Sequence, residues 1–341
     1  MVMGILNLSP EQRVELFNST GMPLRRIGLD VMSGEASAVD RCCRRCLLAD
    51  DLPGVTIGPD GICNYCAEFS TESAKGFYDP QRLEEAVKRY RGSGSPDSVL
   101  AFSGGKDSAL ALLLAVRELN LKPLPVLVDN GFIPDEVKEN GRAFCAGLGT
   151  ELAIVNIDIR QVARESLRST SGKVPCTSCI AGVFGSMARA CRDLGLRLVI
   201  GGHRFPPLMY PISAFTKKEV DSGFLCVSPL LARRMSEADQ LALIEAAGWR
   251  RVSIAGNTSN CKLIGVVEEH LYDLHGYNPH LFEVSKEIRV GFYSRADGYR
   301  KVERPRIDPE HRKWVEQRLG LEESEEEKAG PVTAGLTNTP G

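Results

Sequence analysis

The stretch that most constrains this chain is Ser98–Ser108, Ser-Val-Leu-Ala-Phe-Ser-Gly-Gly-Lys-Asp-Ser. Val99 to Phe102 form a short apolar run of the kind that makes a buried strand. The run stops at Gly104-Gly105, and an apolar helix, Ala109–Leu119, is predicted at once. A strand that feeds a glycine turn and then a helix is a cradle for phosphate. The glycines let the backbone approach the ligand closely. The unpaired N–H groups of the first helical turn point at the anion, and the helix dipole adds to them. Ser103 and Ser108 add hydroxyl donors, Lys106 adds a charge, and Asp107 offers a carboxylate for magnesium or for orientation.

The rest of the chain extends that unit. Strands are predicted at Ser98–Phe102, Leu124–Asp129, Leu152–Asp158 and Arg197–Ile200, with a fifth at Phe224–Leu230. Helices are predicted between them at Ala109–Leu119, Asp135–Leu148, Arg160–Leu167 and Ile180–Leu194, and after them at Glu237–Ala247. This alternation means βαβ units: an α/β fold with a parallel sheet flanked by helices. Ligands bind outside the carboxyl ends of such strands. That rule puts Ser103–Ser108, Asp129–Gly131, Asp158 and Gly201-Gly202-His203 on one rim. Asp129 can face ribose or adenine, or simply start its Asn-Gly turn. His203 can contact phosphate, substrate or metal.

Eleven cysteines are many for 341 residues, and most stand in C-x-x-C pairs. In an intracellular chain that pattern favours metal or redox chemistry over disulfides. Cys43-x-x-Cys46 and Cys63-x-x-Cys66 are separated by sixteen residues. That lies within the ~15–20 typical of four-cysteine zinc sites. Four thiolates leave no open coordination position, so the predicted zinc is structural. Cys42 is a spare that can replace Cys43. Cys176-x-x-Cys179 is placed in a loop just before a helix, where the dipole lowers thiol pKa values. These two are read as reactive thiols or metal ligands, and Cys261 as a candidate third ligand. Cys145, Cys191 and Cys226 fall inside apolar patterns and are read as core.

The net charge is −2, so no global basic field advertises nucleic acid. No apolar run reaches the ~18 residues a membrane helix needs, and the N-terminus shows no basic-then-apolar leader. A cytoplasmic protein without membrane association is expected. The segments divide into an arm (1–40), a zinc module (41–70), a nucleotide-binding domain (80–256), a helical region (257–320) and a disordered tail (321–341). In the arm, Ser9-Pro10-Glu11-Gln12 resembles a helix start, and Gly34–Ser37 reads as a linker. A charged helix within Glu72–Arg91 is expected to pack on the nucleotide domain. His270, His275 and His280, five apart, do not share a helical face, so no histidine metal site is expected. Arg289 and Arg295 can reach the active-site mouth or form surface ion pairs.

Ser103, Gly104, Gly105, Asp107 and Ser108 match all fixed positions of SGGxDS, and the stretch resembles the PP-loop of the ATP pyrophosphatase superfamily. The resemblance covers roughly residues 80–300 and implies a fold of the adenine nucleotide alpha hydrolase-like type. It also implies ATP and magnesium as ligands. ATP is cleaved to AMP and pyrophosphate, an acceptor carbonyl or carboxyl oxygen is adenylated, and a sulfur or nitrogen nucleophile displaces AMP. Ser103–Ser108, Asp129, Gly202 and His203 then become nucleotide-binding residues, with Asp107 catalytic.

The order of parts also resembles the tRNA-thiolating branch. The cysteine module comes first, then SGGxDS, then C-x-x-C about 70 residues on, then one cysteine about 80 further. On that likeness Cys176, Cys179 and Cys261 hold a [4Fe-4S] cluster with one open iron for sulfur. The expected partners are a sulfur donor (sulfide or a carrier protein) and an acceptor, either tRNA or a small or carrier-bound metabolite. Homodimers are common among such enzymes. The sequence departs from that branch after His203, where Arg204-Phe205-Pro206-Pro207 stands in place of acidic residues. The module-plus-loop order also resembles N-acetyl sugar amidotransferases. A nucleotide-binding regulatory or sulfur-relay protein is the third reading.

Overall fold

The structure, a computed structural model, describes residues 42–69, 79–168, 174–204, 209–212, 223–233, 235–256 and 260–321. The predicted N-terminal helix, the Gly34–Ser37 linker and residues 322–341 of the predicted tail lie outside them.

Among the described residues six strands form one sheet: β1 Ser98–Ala101, β2 Pro123–Asp129, β3 Ala153–Asn156, β4 Leu198–Ile200, β5 Met209–Pro211 and β6 Leu225–Val227. Their order is β3-β2-β1-β4-β6-β5. Five are parallel, as the alternation of elements required. The sixth, β5, pairs antiparallel with β6 at the edge and was not predicted. Its three residues carry too short a pattern to read, and only pairing with β6 makes them a strand.

The strands alternate between two cores. Leu100, Leu127, Leu198, Ile200 and Val227 point into one cluster, under α2 (Pro80–Tyr90), α3 (Lys106–Arg117) and α4 (Asp135–Gly147). Val99, Val126, Val128, Val199 and Cys226 point into the other, against Phe184, Met187, Ala188 and Cys191 of α6 (Cys176–Asp193). A sheet buried on both faces needs apolar residues at both parities, and these short strands supply them. Cys145, Cys191 and Cys226 are fully buried, as read from the sequence. Residues Ser108–Ala115 of α3 are all buried, so this helix is the axle of the domain. Each such leucine contributes about 1.5–3 kcal/mol of burial.

Helix boundaries differ from expectation in two places that matter. α3 begins at Lys106, three residues before the predicted start, so Lys106, Asp107 and Ser108 are its first turn. α6 begins at Cys176, not Ile180, so both thiols of that pair lie on the helix rather than in a preceding loop.

After β6 come α7 (Pro229–Ala232) and α8 (Glu237–Ala246). The helical C-terminal region follows: α9 (Lys262–His275), α10 (Leu281–Arg289), α11 (Arg295–Val302) and α12 (Pro309–Leu319). The core of the cysteine module, with its one-turn helix α1 (Asn64–Ala67), includes no strand residue among the described ones. Its apolar residues Leu47, Leu48, Leu52 and Val55 share a core with Leu281, Val284 and Ile288 of α10 and with Tyr293. The remaining helix, α5 (Arg160–Arg168), packs on α9 and α12. No helix among the described residues is long and apolar enough to cross a membrane.

Candidate active site

The chain runs β1, β2, β3 to one side of the sheet and then returns to place β4 on the other side of β1. The crevice above β1 and β4 is therefore the topological switch point, where such folds bind ligands. The loop Phe102–Gly105 leaves β1 there, and Gly201–Arg204 leaves β4 beside it.

The loop is tied down from several sides. Ser103 N–H donates to Ser108 Oγ at 3.1 Å, and Ser108 Oγ–H donates to the Gly105 carbonyl at 2.9 Å. Trp249 Nε1–H donates to the Gly104 carbonyl at 3.0 Å, and Asn260 Nδ2–H to the Ser103 carbonyl at 3.0 Å. Gly104 has φ +80°, and a Cβ on it would stand 2.5 Å from a Val137 methyl carbon. Only glycine fits both conditions. Across the crevice a Cβ on Gly202 would stand 2.9 Å from the backbone of Asp107 and Ser108. The β4 loop thus presses on the first turn of α3.

Asp107 is the hub of the charged groups. Its Oδ1 accepts from Arg204 Nη2 and Gln240 Nε2, both at 2.8 Å, and its Oδ2 from Lys106 Nζ at 3.2 Å. Burial works against its charge, but Lys106, Arg204 and Gln240 outweigh it and hold the carboxyl down at about 2. Arg204 is itself buried, lies over the rings of Phe292 and Tyr293, and donates to the Tyr293 hydroxyl at 2.9 Å. His203 is tilted over Phe184, ring centroids 5.7 Å apart, and burial pushes its pKa down. Asp129 does both things its turn demands. Its Oδ1 accepts from Gly131 N–H at 2.9 Å, and its Oδ2 pairs with Lys138 Nζ at 2.9 Å. Asp158 pairs with Arg160 on the surface.

Three thiols gather beside the loop. Asn130, at the end of β2, donates its Nδ2 hydrogens to Cys179 Sγ (3.4 Å) and Cys261 Sγ (3.7 Å). Cys176 is close enough to feel the fields of both. Asn260, bonded to the loop, is the residue before Cys261, so the trio and the glycine loop adjoin. The expected lowering of the thiol pKa values at the α6 N-terminus does not hold. Burial raises Cys176 and Cys179 and pushes Cys261 up to about 11. Desolvation of a thiolate here outweighs the dipole of one helix end.

The N-terminal set is of another kind. The four ligand sulfurs of Cys43, Cys46, Cys63 and Cys66 lie within 4.8 Å of one another, all buried. Cys43 Sγ accepts N–H bonds from Arg45 (3.4 Å) and Cys63 (3.3 Å), the knuckle geometry that a tetrahedral site requires. This four-cysteine cluster can hold a metal such as zinc. Cys42 stays outside it, in a bridge to Ala49. Among the described residues no other group of metal-ligating side chains is so tightly drawn together. The ligand atoms of Cys176, Cys179 and Cys261 do not all lie within 4.8 Å of one another. These three thiols, Cys261 buried and Cys176 and Cys179 half-buried, are the donor type that an iron-sulfur cluster takes.

No family model matches the chain. It is 30% identical over 231 residues to an uncharacterized protein of Methanocaldococcus jannaschii, MJ1599, spanning 67% of this chain and 81% of that one. The chain belongs to the MJ1599 family. A second, partial similarity is to the glutamine-hydrolyzing GMP synthase of Aeropyrum pernix: 27% over 128 residues, 37% of this chain and 24% of the synthase. A third is to the uncharacterized M. jannaschii protein MJ1638: 27% over 108 residues, 31% of this chain and 40% of that protein. The chain thus spans less than half of the latter two. The synthase similarity is consistent with the PP-loop superfamily.

In this member of the MJ1599 family, several site residues carried no readable sequence signal. Gln240, Trp249, Asn260 and Tyr293 look like ordinary loop, helix and core residues until the fold brings them to the loop, and Asn130 reaches the rim only as part of the Asp129–Gly131 turn. Arg204 stood out only as a departure from the thiolating pattern. The two arginines expected at the mouth or in surface ion pairs both meet the cysteine module, the Arg289 guanidinium lying 5.8 Å from the Tyr65 ring centroid. Arg295 Nε–H donates to the Cys46 carbonyl at 3.1 Å, and the Arg289 carbonyl accepts from Arg45 Nη2 at 3.4 Å. His280 stands apart from His270 and His275, between Glu268 (3.1 Å) and Glu283 (3.0 Å).

Proposed function

We propose that this protein is an ATP pyrophosphatase-type sulfurtransferase. The single observation that carries the reading is the adjacency of the glycine loop and three thiols, linked through Asn260-Cys261 and Asn130. The partial similarity to a GMP synthase supports the nucleotide half of it.

In this reading Ser103, Ser108 and the first N–H groups of α3 hold the β- and γ-phosphates of ATP. Lys106 balances their charge. Asp107 exchanges one of its present partners for magnesium, which its persistent ionisation permits. An acceptor oxygen attacks the α-phosphorus, the bond to the bridging oxygen breaks, and pyrophosphate leaves. Hydrosulfide sulfur then attacks the adenylated carbon, the C–O bond breaks, and AMP leaves with that electron pair while the sulfur loses its proton to solvent. Cys176, Cys179 and Cys261 would hold a [4Fe-4S] cluster, which when bound supplies an iron site for sulfur. The four module cysteines would hold zinc.

The test begins with anaerobic purification. About four irons per chain beyond the zinc, with visible absorbance, are expected. Cys261→Ser should lose the iron and the thiolated product while still binding ATP. A colourless, iron-free wild-type protein would sink the cluster.

A second reading follows from Arg204, which replaces the acidic residues of the thiolating pattern, and from the GMP synthase similarity. In it ammonia displaces AMP, as in an amidotransferase, and the thiols are structural. Pyrophosphate release stimulated by ammonium but not by sulfide would select it.

A further inference from the structure

Tyr293 belongs to two places at once. Its ring is 8% exposed and lies in the apolar core of the cysteine module, with Leu47, Leu48, Val284 and Ile288. Its hydroxyl accepts from Arg204 Nη1 at 2.9 Å, and Arg204 Nη2 donates to Asp107 Oδ1 at 2.8 Å. A single side chain therefore separates the module core from the guanidinium that fixes the glycine-loop carboxylate.

The module grips this stretch from both sides. Leu47 N–H donates to Ser285 Oγ of α10 at 3.4 Å, and Arg295, which opens α11, donates to the Cys46 carbonyl at 3.1 Å. Tyr65 of α1 meets Phe282 edge to face, ring centroids 5.9 Å apart. Ligands Cys43, Cys46, Cys63 and Cys66 are themselves part of the shared core. A module this short cannot bury a large core by itself, so a metal on its four thiols would help fix its shape. When four buried thiols lose their metal, the core around Tyr293 loses its frame.

We propose that Tyr293 is a positioning residue through which the metal module sets Arg204, and hence Asp107, for binding Mg·ATP. The metal thus acts on the nucleotide site from a distance, without touching it. This rests on the reading of Ser103–Ser108 as an ATP loop.

The chain carries its own reporter. Trp249 donates to the Gly104 carbonyl, and Trp314 is the other of the two tryptophans. In a Trp314→Phe background, emission reports Trp249 alone. Tyr293→Phe removes only the hydroxyl. Zinc content should stay the same, Trp249 emission should shift, and the Mg·ATP Kd from titration calorimetry should rise about 10–150-fold, the worth of one hydrogen bond to a charged group. Stripping zinc from the Trp314→Phe protein should reproduce both changes. Stripping it from the Tyr293→Phe protein should add less than about twofold, because both act through one contact. Metal-free protein that stays folded and keeps its emission and Kd overturns the proposal, and so do effects that multiply. If stripping unfolds the chain, Arg295→Ala decides instead. It cuts the Cys46 tie with all four thiols intact, and unchanged emission and Kd would then overturn it. If zinc-loaded protein binds no Mg·ATP, the ATP reading fails by itself, and the linkage is judged on Trp249 emission.

Discussion

Arg204 and Asp107 are 97 residues apart in sequence and 2.8 Å apart in space, Nη2 to Oδ1. One lies in the loop that leaves β4 and the other in the first turn of α3, so their contact spans the switch point of the sheet. The Arg204 side chain is 7% exposed and that of Asp107 35%. Replacing Arg204 by Met should leave Asp107 with Lys106 and Gln240 alone. The loss should be about 1–3 kcal/mol, less than for a fully buried pair because the carboxylate is partly wet. Denaturant unfolding measures it. An unchanged midpoint would mean that neither the ion pair nor the stacking of the guanidinium on Phe292 and Tyr293 adds net stability.

The same ionisation sets an acid limit. Asp107 is held down at about 2, below its unfolded value near 4. Its stabilising effect is present above about pH 4 and is lost as pH falls through about 2. The difference in unfolding free energy between wild type and Asp107→Asn should therefore shrink between pH 4 and pH 2. A constant difference over that range would contradict the assignment.

His280 gives the opposite limb. Burial lowers its pKa, but the carboxylates of Glu268 and Glu283 outweigh burial and raise it to about 10. A raised histidine stabilises fully below its unfolded value of about 6.5 and loses that effect as pH rises through about 10. Melting temperature should fall across that window in wild type and fall less in His280→Gln. Parallel curves for the two proteins would remove His280 from the account.

Two glycines test the close approach at the loop. Gly202→Ala should collide with the backbone of Asp107, cost about 1–3 kcal/mol and weaken ATP binding. Gly185→Ala on α6 meets nothing within 4 Å and should be neutral or stabilise by about 0.5–1 kcal/mol. If both behave alike in thermal melts, the crevice is looser than the contact distances require.

The module should live or die with its metal. Cys63→Ser leaves three thiols, and the bound zinc should fall from one per chain to near zero. Leu47, Leu52 and Leu281 share its core, so hydrogen exchange should accelerate in residues 42–67 and 281–289 while α3 stays protected. Uniform protection in the variant would mean that apolar packing alone holds the module.

Local chemistry made much of this legible in the chain itself. The run from Val99 to Ser108 dictated strand, glycine turn and helix because each residue there acts on its own neighbours. The spacing of the two N-terminal C-x-x-C pairs dictated a four-thiol site because knuckles are local turns. The alternation of apolar runs dictated a parallel sheet, and that alone placed the loop and Gly202 on one rim. Tertiary structure decided the rest, because those properties are sums over distant groups. The dipole of α6 is a local feature, but the burial that overrides it at Cys176 comes from elements far along the chain. Nothing near Arg204 in sequence tells that it pairs with Asp107, and nothing near Tyr293 tells that it stands between Arg204 and the core of a four-cysteine module far back in the chain. Sequence sets which groups can bond; only the packed fold fixes which of them meet, and in how dry a place.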